Sequence, residues 1–219
     1  RVPDEIREMI AAKTEGIPYF IEEFTKSLLE SGVVVRTDGA YALMGDPRTL
    51  KVPETIQEIL LGRIDRLHAD VKRTMQIGAV IGRSFALKLL KAVSGLTEAE
   101  LGQHVEQLKQ LELIYQQGFY PEVEFVFTHA LIQEVAYEGL QWEQRKELHL
   151  AIGRAIEDLA RDRLEEQAAT LAFHYGRSDQ AERAVEYALL AGDKAASLFA
   201  NSEATTYYEE ALKNLRSLP

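Results

Sequence analysis

The sequence predicts a mainly α fold interrupted twice by short β-ribbons. Three observations predict it. Apolar residues recur at the three-to-four spacing of a buried helix face over most of the 219 residues. Alternation of period two is confined to two stretches, near 33–43 and 113–127. Gly and Pro stand between the periodic segments, where a helix has to stop.

Taken in order, Pro3 suits a first helical turn, and Ile6, Met9 and Ile10 follow at helical spacing. Thr14-Glu15-Gly16-Ile17-Pro18 breaks that helix. A second carries Phe20, Ile21, Phe24, Leu28 and Leu29 on one stripe and stops at Gly32. Val33-Val34-Val35, then Thr37-Asp38-Gly39, then Tyr41-Ala42-Leu43 reads as a hairpin turned at Asp-Gly and ended by Gly45-Asp46-Pro47. Pro53 opens a helix with Ile56, Ile59, Leu60, Ile64 and Leu67. Another runs from about Val71 to Ile81, closed by Gly82, and one with Phe85, Leu87, Leu89, Leu90 and Val93 ends at Gly95. Ser84 reads as the cap of that last helix. Thr97-Glu98-Ala99-Glu100 is a capping box ahead of Leu101, Val105, Leu108 and Leu111.

The period then changes. Leu113-Ile114-Tyr115 and the alternation of Val123, Phe125 and Phe127 with Glu124 and Val126 predict a two-stranded ribbon. Three helices followed by a ribbon, over about 70–128, is the order of a winged helix. From Thr128 the pattern is helical, with Leu148, Ile152, Ile156 and Leu159 on one stripe and Leu171, Phe173 and Tyr175 in a helix ending near Gly176. Helices follow at about 180–199 and 201–216. Ala191-Gly192, Ala195, Ala204, Tyr208 and Ala211 fall at the offsets where a tetratricopeptide hairpin brings its helices close. The expected divisions are 1–52, 53–128 and 129–219.

Composition excludes several classes. Lys and Arg total 25 against 35 Asp and Glu, a net charge of −10. Residues 1–67 carry 9 basic and 12 acidic groups, 68–128 carry 6 and 7, and 129–219 carry 10 and 16, so no third is net basic. Binding driven by phosphate neutralisation is disfavoured. The expected third helix of the winged helix sets Glu98, Glu100 and Glu106 against Lys109, and the wing adds Glu122 and Glu124, a field that repels DNA. There are no cysteines, which fits a reducing, cytoplasmic setting and removes thiolate zinc sites. No apolar run approaches the roughly 20 residues that span a bilayer. The chain opens at Arg1 without an initiator Met and closes on Pro219 after a helical pattern, so it reads as a segment of a longer protein.

No catalytic constellation emerges. A Gly-x-x-x-x-Gly-Lys-[Ser/Thr] loop is absent, and Gly82-Arg83-Ser84-Phe85-Ala86 lacks the second glycine of a nucleophile elbow. His68, His104, His129, His149 and His174 include no pair three to five apart, so no local metal clip is expected. Glu22-Glu23 and Glu165-Glu166 read as solvated helix faces, since adjacent helical positions point in different directions.

Five segments in order carry a resemblance: Thr14-Glu15-Gly16-Ile17-Pro18-Tyr19-Phe20-Ile21-Glu22-Glu23, Val52-Pro53-Glu54-Thr55-Ile56, Arg63-Ile64-Asp65-Arg66-Leu67, Ala79-Val80-Ile81-Gly82-Arg83-Ser84-Phe85, and Phe127-Thr128-His129-Ala130-Leu131-Ile132-Gln133-Glu134-Val135-Ala136-Tyr137. Together they resemble the large bacterial signal-transduction ATPases of the STAND class, including those fused to class III adenylate/guanylate cyclases or to transcriptional regulators. The resemblance spans essentially the whole chain. It implies that a nucleotide-binding core, holding ATP or ADP with Mg, precedes this region, and that a helical lid with a small β-hairpin, a winged-helix domain and the start of a tetratricopeptide array follow. Gly16 and Pro18 resemble the family's glycine-proline loop, which approaches the nucleotide's base and sugar; Ile17 stands where the family usually has Asn. A simple interhelical turn is the alternative.

His129 resembles the winged-helix histidine of related NB-ARC proteins, which reaches the phosphates of ADP in the closed state. Ala130 stands where an acidic residue often follows. Capping or packing is the alternative role. Arg63, Arg66 and Arg83 are further cations that could face such a core. The implied function is non-catalytic regulation, coupling nucleotide state to an effector domain or partner. The rival readings are a tetratricopeptide scaffold for a protein partner, without a nucleotide role, and a DNA-binding winged helix.

Overall fold

Helices account for most of the chain, and the two β-segments form two small antiparallel sheets. The computed structural model describes residues 2–37, 40–44, 55–118, 123–216 and 218. It divides into two compact units, Arg1–His68 and Ala69–Pro219.

In the first unit, α1 (Asp4–Thr14) and α2 (Pro18–Glu30) lead into β1 (Val34–Thr37) and β2 (Ala40–Leu43), followed by α3 (Ile56–Asp65). Pro18 occupies the first turn of α2, where its missing N–H leaves no helical bond unmade. Ile6, Phe20, Phe24, Leu28, Val34 and Ile59 form the core, with the rings of Phe20 and Phe24 edge-on at 6.2 Å. β1 and β2 pair from Val34↔Leu43 to Thr37↔Ala40. The Asp38-Gly39 turn between them lies outside the described residues, as do Gly45-Asp46-Pro47 and Val52-Pro53-Glu54. α3 begins after Thr55, whose hydroxyl accepts from the Glu58 N–H at 3.2 Å.

The second unit opens with α4 (Ala69–Ile81), β3 (Ser84–Ala86), α5 (Leu87–Ser94), α6 (Glu98–Gln110), β4 (Ile114–Gln117) and β5 (Glu124–Phe127). Here the sequence reading needs correction. Residues 84–86 are a strand and not the start of a helix, Ser84 is its first residue, and the cap of α5 is Ala86. The ribbon is therefore a three-stranded sheet in the order β3-β5-β4, with Phe85 opposite Phe125. Phe85 packs 5.4 Å from Phe127 and 6.0 Å from Phe125, and burial of that cluster holds the short strand in place. Both halves of the Thr97–Glu100 capping box are made. Glu122 lies outside the described residues.

Then come α7 (Ala130–Glu138), α8 (Trp142–Leu159), a 3-10 turn at Arg161–Arg163, α9 (Leu164–Tyr175), α10 (Ala181–Ser197) and α11 (Asn201–Leu215). α7 packs on α4, and α8 touches α4 and α5. From α8 onward each helix packs on the next. The small residues named from the sequence do lie where helices meet: Ala191, Gly192, Ala195, Ala204 and Ala211 are buried in the α10–α11 pair. A Cβ on Gly192 would stand 2.6 Å from the Tyr208 ring, so only glycine permits that approach. Between α9 and α10 the rings of Tyr175 and Tyr187 stack at 5.7 Å. The Tyr187 hydroxyl donates to Glu157 on α8 at 2.6 Å.

Candidate functional site

Gly16 and Pro18 share the α1–α2 turn. Glu15 and Gly16 both take left-handed backbone, at φ 51° and 77°. Glycine adopts it without the side-chain clash that strains other residues. The Ile17 N–H donates to the Thr14 carbonyl at 2.9 Å, closing the turn, and the Ile17 side chain is exposed. Gly16 borders an apolar cavity of about 510 Å³ that Ile6, Ile10, Leu28, Val34 and Tyr41 also line. A hydrophobic wall beside a turn with exposed backbone can accept a flat apolar group; among the described residues that line it, Arg7 is the one cation that could meet a phosphate.

His129 lies in the second unit, at the N-cap of α7, with extended backbone (φ −132°, ψ 146°). Its carbonyl accepts from the Ile132 N–H at 3.1 Å, and its half-buried ring makes no side-chain cap. The imidazole thus sits beside the positive end of a helix dipole, where an anion is favoured.

Two of the cations that could face a core are committed within the first unit. Arg63 is buried and ion-paired with buried Glu23, and its Nε approaches Glu30 at 3.5 Å; Arg66 meets Glu30 at 3.2 Å. This corrects the solvated-face reading of Glu22-Glu23. Glu22 is exposed and pairs with Lys26 at 2.8 Å, whereas Glu23 turns inward and is only 3% exposed. A buried carboxylate persists because Arg63 from α3, with Lys26 3.6 Å away on its other oxygen, neutralises it.

The sequence reading also missed a buried polar cluster. His149 on α8 and His174 on α9 are each 1% exposed, with their Nδ1 atoms 2.9 Å apart. The Tyr137 hydroxyl lies 3.1 Å from His149 Nε2. Either tautomer of His149 makes both contacts: Nε2 accepts from the tyrosine while Nδ1–H donates to His174 Nδ1, or Nε2–H donates to the tyrosine oxygen while Nδ1 accepts from His174 Nδ1–H. Burial pushes His149 down to about 4, helped by Arg177 and Arg145. It pushes His174 to about 3, with His149 and Arg177 adding to the effect. Both rings are neutral at pH 7. The two residues are 25 apart on different helices, so a search for local pairs passes over them. His104 is likewise engaged, with Nδ1 2.8 Å from the Thr74 hydroxyl across α4 and α6.

Among the described residues no group of three or more His, Asp or Glu side chains is placed to hold a metal ion. No helix among them is long and apolar enough to cross a membrane. No family model matches the chain, and no solved structure matches it. It is 24% identical over 206 residues to an uncharacterized protein of Rhizobium meliloti (strain 1021). That match covers 90% of this chain and 19% of the relative, so the chain spans about one fifth of the relative's length.

Proposed function

We propose that this chain is a regulatory, non-catalytic part of a multidomain signalling ATPase of the STAND class, coupling nucleotide state to an effector domain or partner. On this reading residues 1–52 are the end of a helical lid with its β-hairpin, 53–128 a helical linker and winged helix, and 129–219 the start of a tetratricopeptide array. The observation that carries it is the order helix–strand–helix–helix–strand–strand with β5 central, followed at once by His129 at a helix start. ATP or ADP with Mg would be held by a preceding core. The Gly16–Pro18 turn would meet the base and sugar, and His129 the phosphates. ADP then favours a closed packing, and exchange for ATP shifts the population toward release of the winged helix and array.

The test is ADP release from the intact protein. His129→Ala should speed ADP loss and raise basal output; unchanged retention and unchanged output would remove the assignment. One observation favours a second reading, a protein-binding scaffold. Leu198 and Phe199, at the α10–α11 turn, are 70% and 88% exposed, more apolar surface than a finished turn needs to show. Partner binding that ignores nucleotide and is lost in Phe199→Ser would support that alternative.

A further inference from the structure

The second unit contains a cavity of about 390 Å³ walled by α7, α8, the α9–α10 turn and α11. Arg145, Lys146, Arg177 and Lys213 line it, in a chain whose net charge is −10. Lys146 is answered by Asp179 at 2.8 Å and Glu143 at 3.4 Å. Arg145, Arg177 and Lys213 meet no carboxylate among the described residues. Arg145 donates instead to the carbonyls of Leu140 at 3.0 Å and Glu138 at 2.8 Å, and Arg177 to that of Phe173 at 3.3 Å. Counting the partners of Lys146, the four cations stand against Glu210, Asp179 and Glu143, a local excess of one positive charge.

Both guanidiniums lie over aromatic rings. Arg177 lies 3.7 Å from the Phe173 centroid and Arg145 4.7 Å from that of Tyr137. That cation–π contact limits the freedom of each fork before any ligand arrives. Remaining N–H groups of each fork are left for an acceptor. Trp142, exposed at the cavity mouth, offers an apolar face beside the charges.

We propose that this cavity is an anion site for a phosphate group, its oxygens among Arg145, Lys146, Arg177 and Lys213 and any organic part against Trp142. The planar donors of the two arginines suit the several oxygens of such a group. The site is separate from His129 and independent of the nucleotide-switch reading.

Trp142 is the one tryptophan of the sequence, so its emission reports on the cavity directly. The chain is titrated at constant ionic strength with phenyl phosphate, inorganic phosphate and benzoate. Phenyl phosphate should shift the emission saturably. Arg177→Gln and Lys213→Gln should each weaken binding about tenfold, as loss of a charge-assisted hydrogen bond does. Arg154→Gln, an exposed cation elsewhere on α8, should change nothing. Inorganic phosphate competing as strongly as phenyl phosphate assigns the site to the free ion, and a marked preference for phenyl phosphate assigns it to a phosphomonoester. The proposal is overturned by no saturable change, by equal binding of the benzoate monoanion, or by equal weakening in Arg154→Gln. None of these results bears on ADP release through His129.

Discussion

Two buried polar contacts dominate at the scale of single residues. Arg63 and Glu23 lie inside the first unit and neutralise one another. Removing one partner leaves the other charged and desolvated. Arg63→Ala should therefore destabilise that unit by about 3 kcal/mol, read as a lower urea midpoint. The His149–His174 pair makes a pH prediction. Both folded values, about 4 and about 3, lie below the ordinary imidazole value, so the folded state binds fewer protons than the unfolded one. The pair's stability contribution is complete above about pH 6.5 and is lost as pH falls toward 4 and 3. Thermal melts should show the second unit losing on the order of a few kcal/mol across that window. A His149→Gln, His174→Gln double variant should lose much of the slope. Neither contact was legible in sequence, because Glu23 and Arg63 are 40 positions apart and the histidines 25.

Individual helices and strands were read most directly. The α6 cap needs only four consecutive residues, and its two bonds form as the sequence predicts. Thr97→Ala should cost about 1 kcal/mol of stability by chemical denaturation, because an early backbone N–H loses its acceptor. The α10–α11 contact was also visible, since small residues at helical offsets have few roles besides close approach. Gly192→Leu should displace Tyr208 and break its 2.8 Å bond to Asp193. The expected destabilisation is about 1–3 kcal/mol, seen as a lower denaturation midpoint. β3 escaped for a reason. Three residues are too few to display a period, and Phe85, Leu89 and Val93 stand four apart, as on a continuing helix. Only the opposing Phe125 and Phe127 decide that Phe85 belongs to a sheet.

Charge is the property that governs the whole molecule. The acidic excess argues against nucleic acid, and α6 agrees, since Lys109 is paired with Glu106 at 2.8 Å and Lys91 with Glu98 at 3.1 Å. The chain should show no saturable affinity for duplex DNA at physiological salt in a gel-shift titration. A salt-dependent affinity would revive the DNA-binding reading. Yet the same total conceals a cavity where cations outnumber carboxylates, which no count along the chain could find. What the sequence determined alone was local: where helices run and stop, where the period turns to two, which threonine caps α6, and which small residues permit close approach. Those features depend on neighbours within about one helical turn or one strand pair. The tertiary structure decided which distant residues meet: β3 on β5, Arg63 on Glu23, His149 on His174, and the arginines around Trp142. Such meetings are set by how faces pack, and packing is a property of many residues at once.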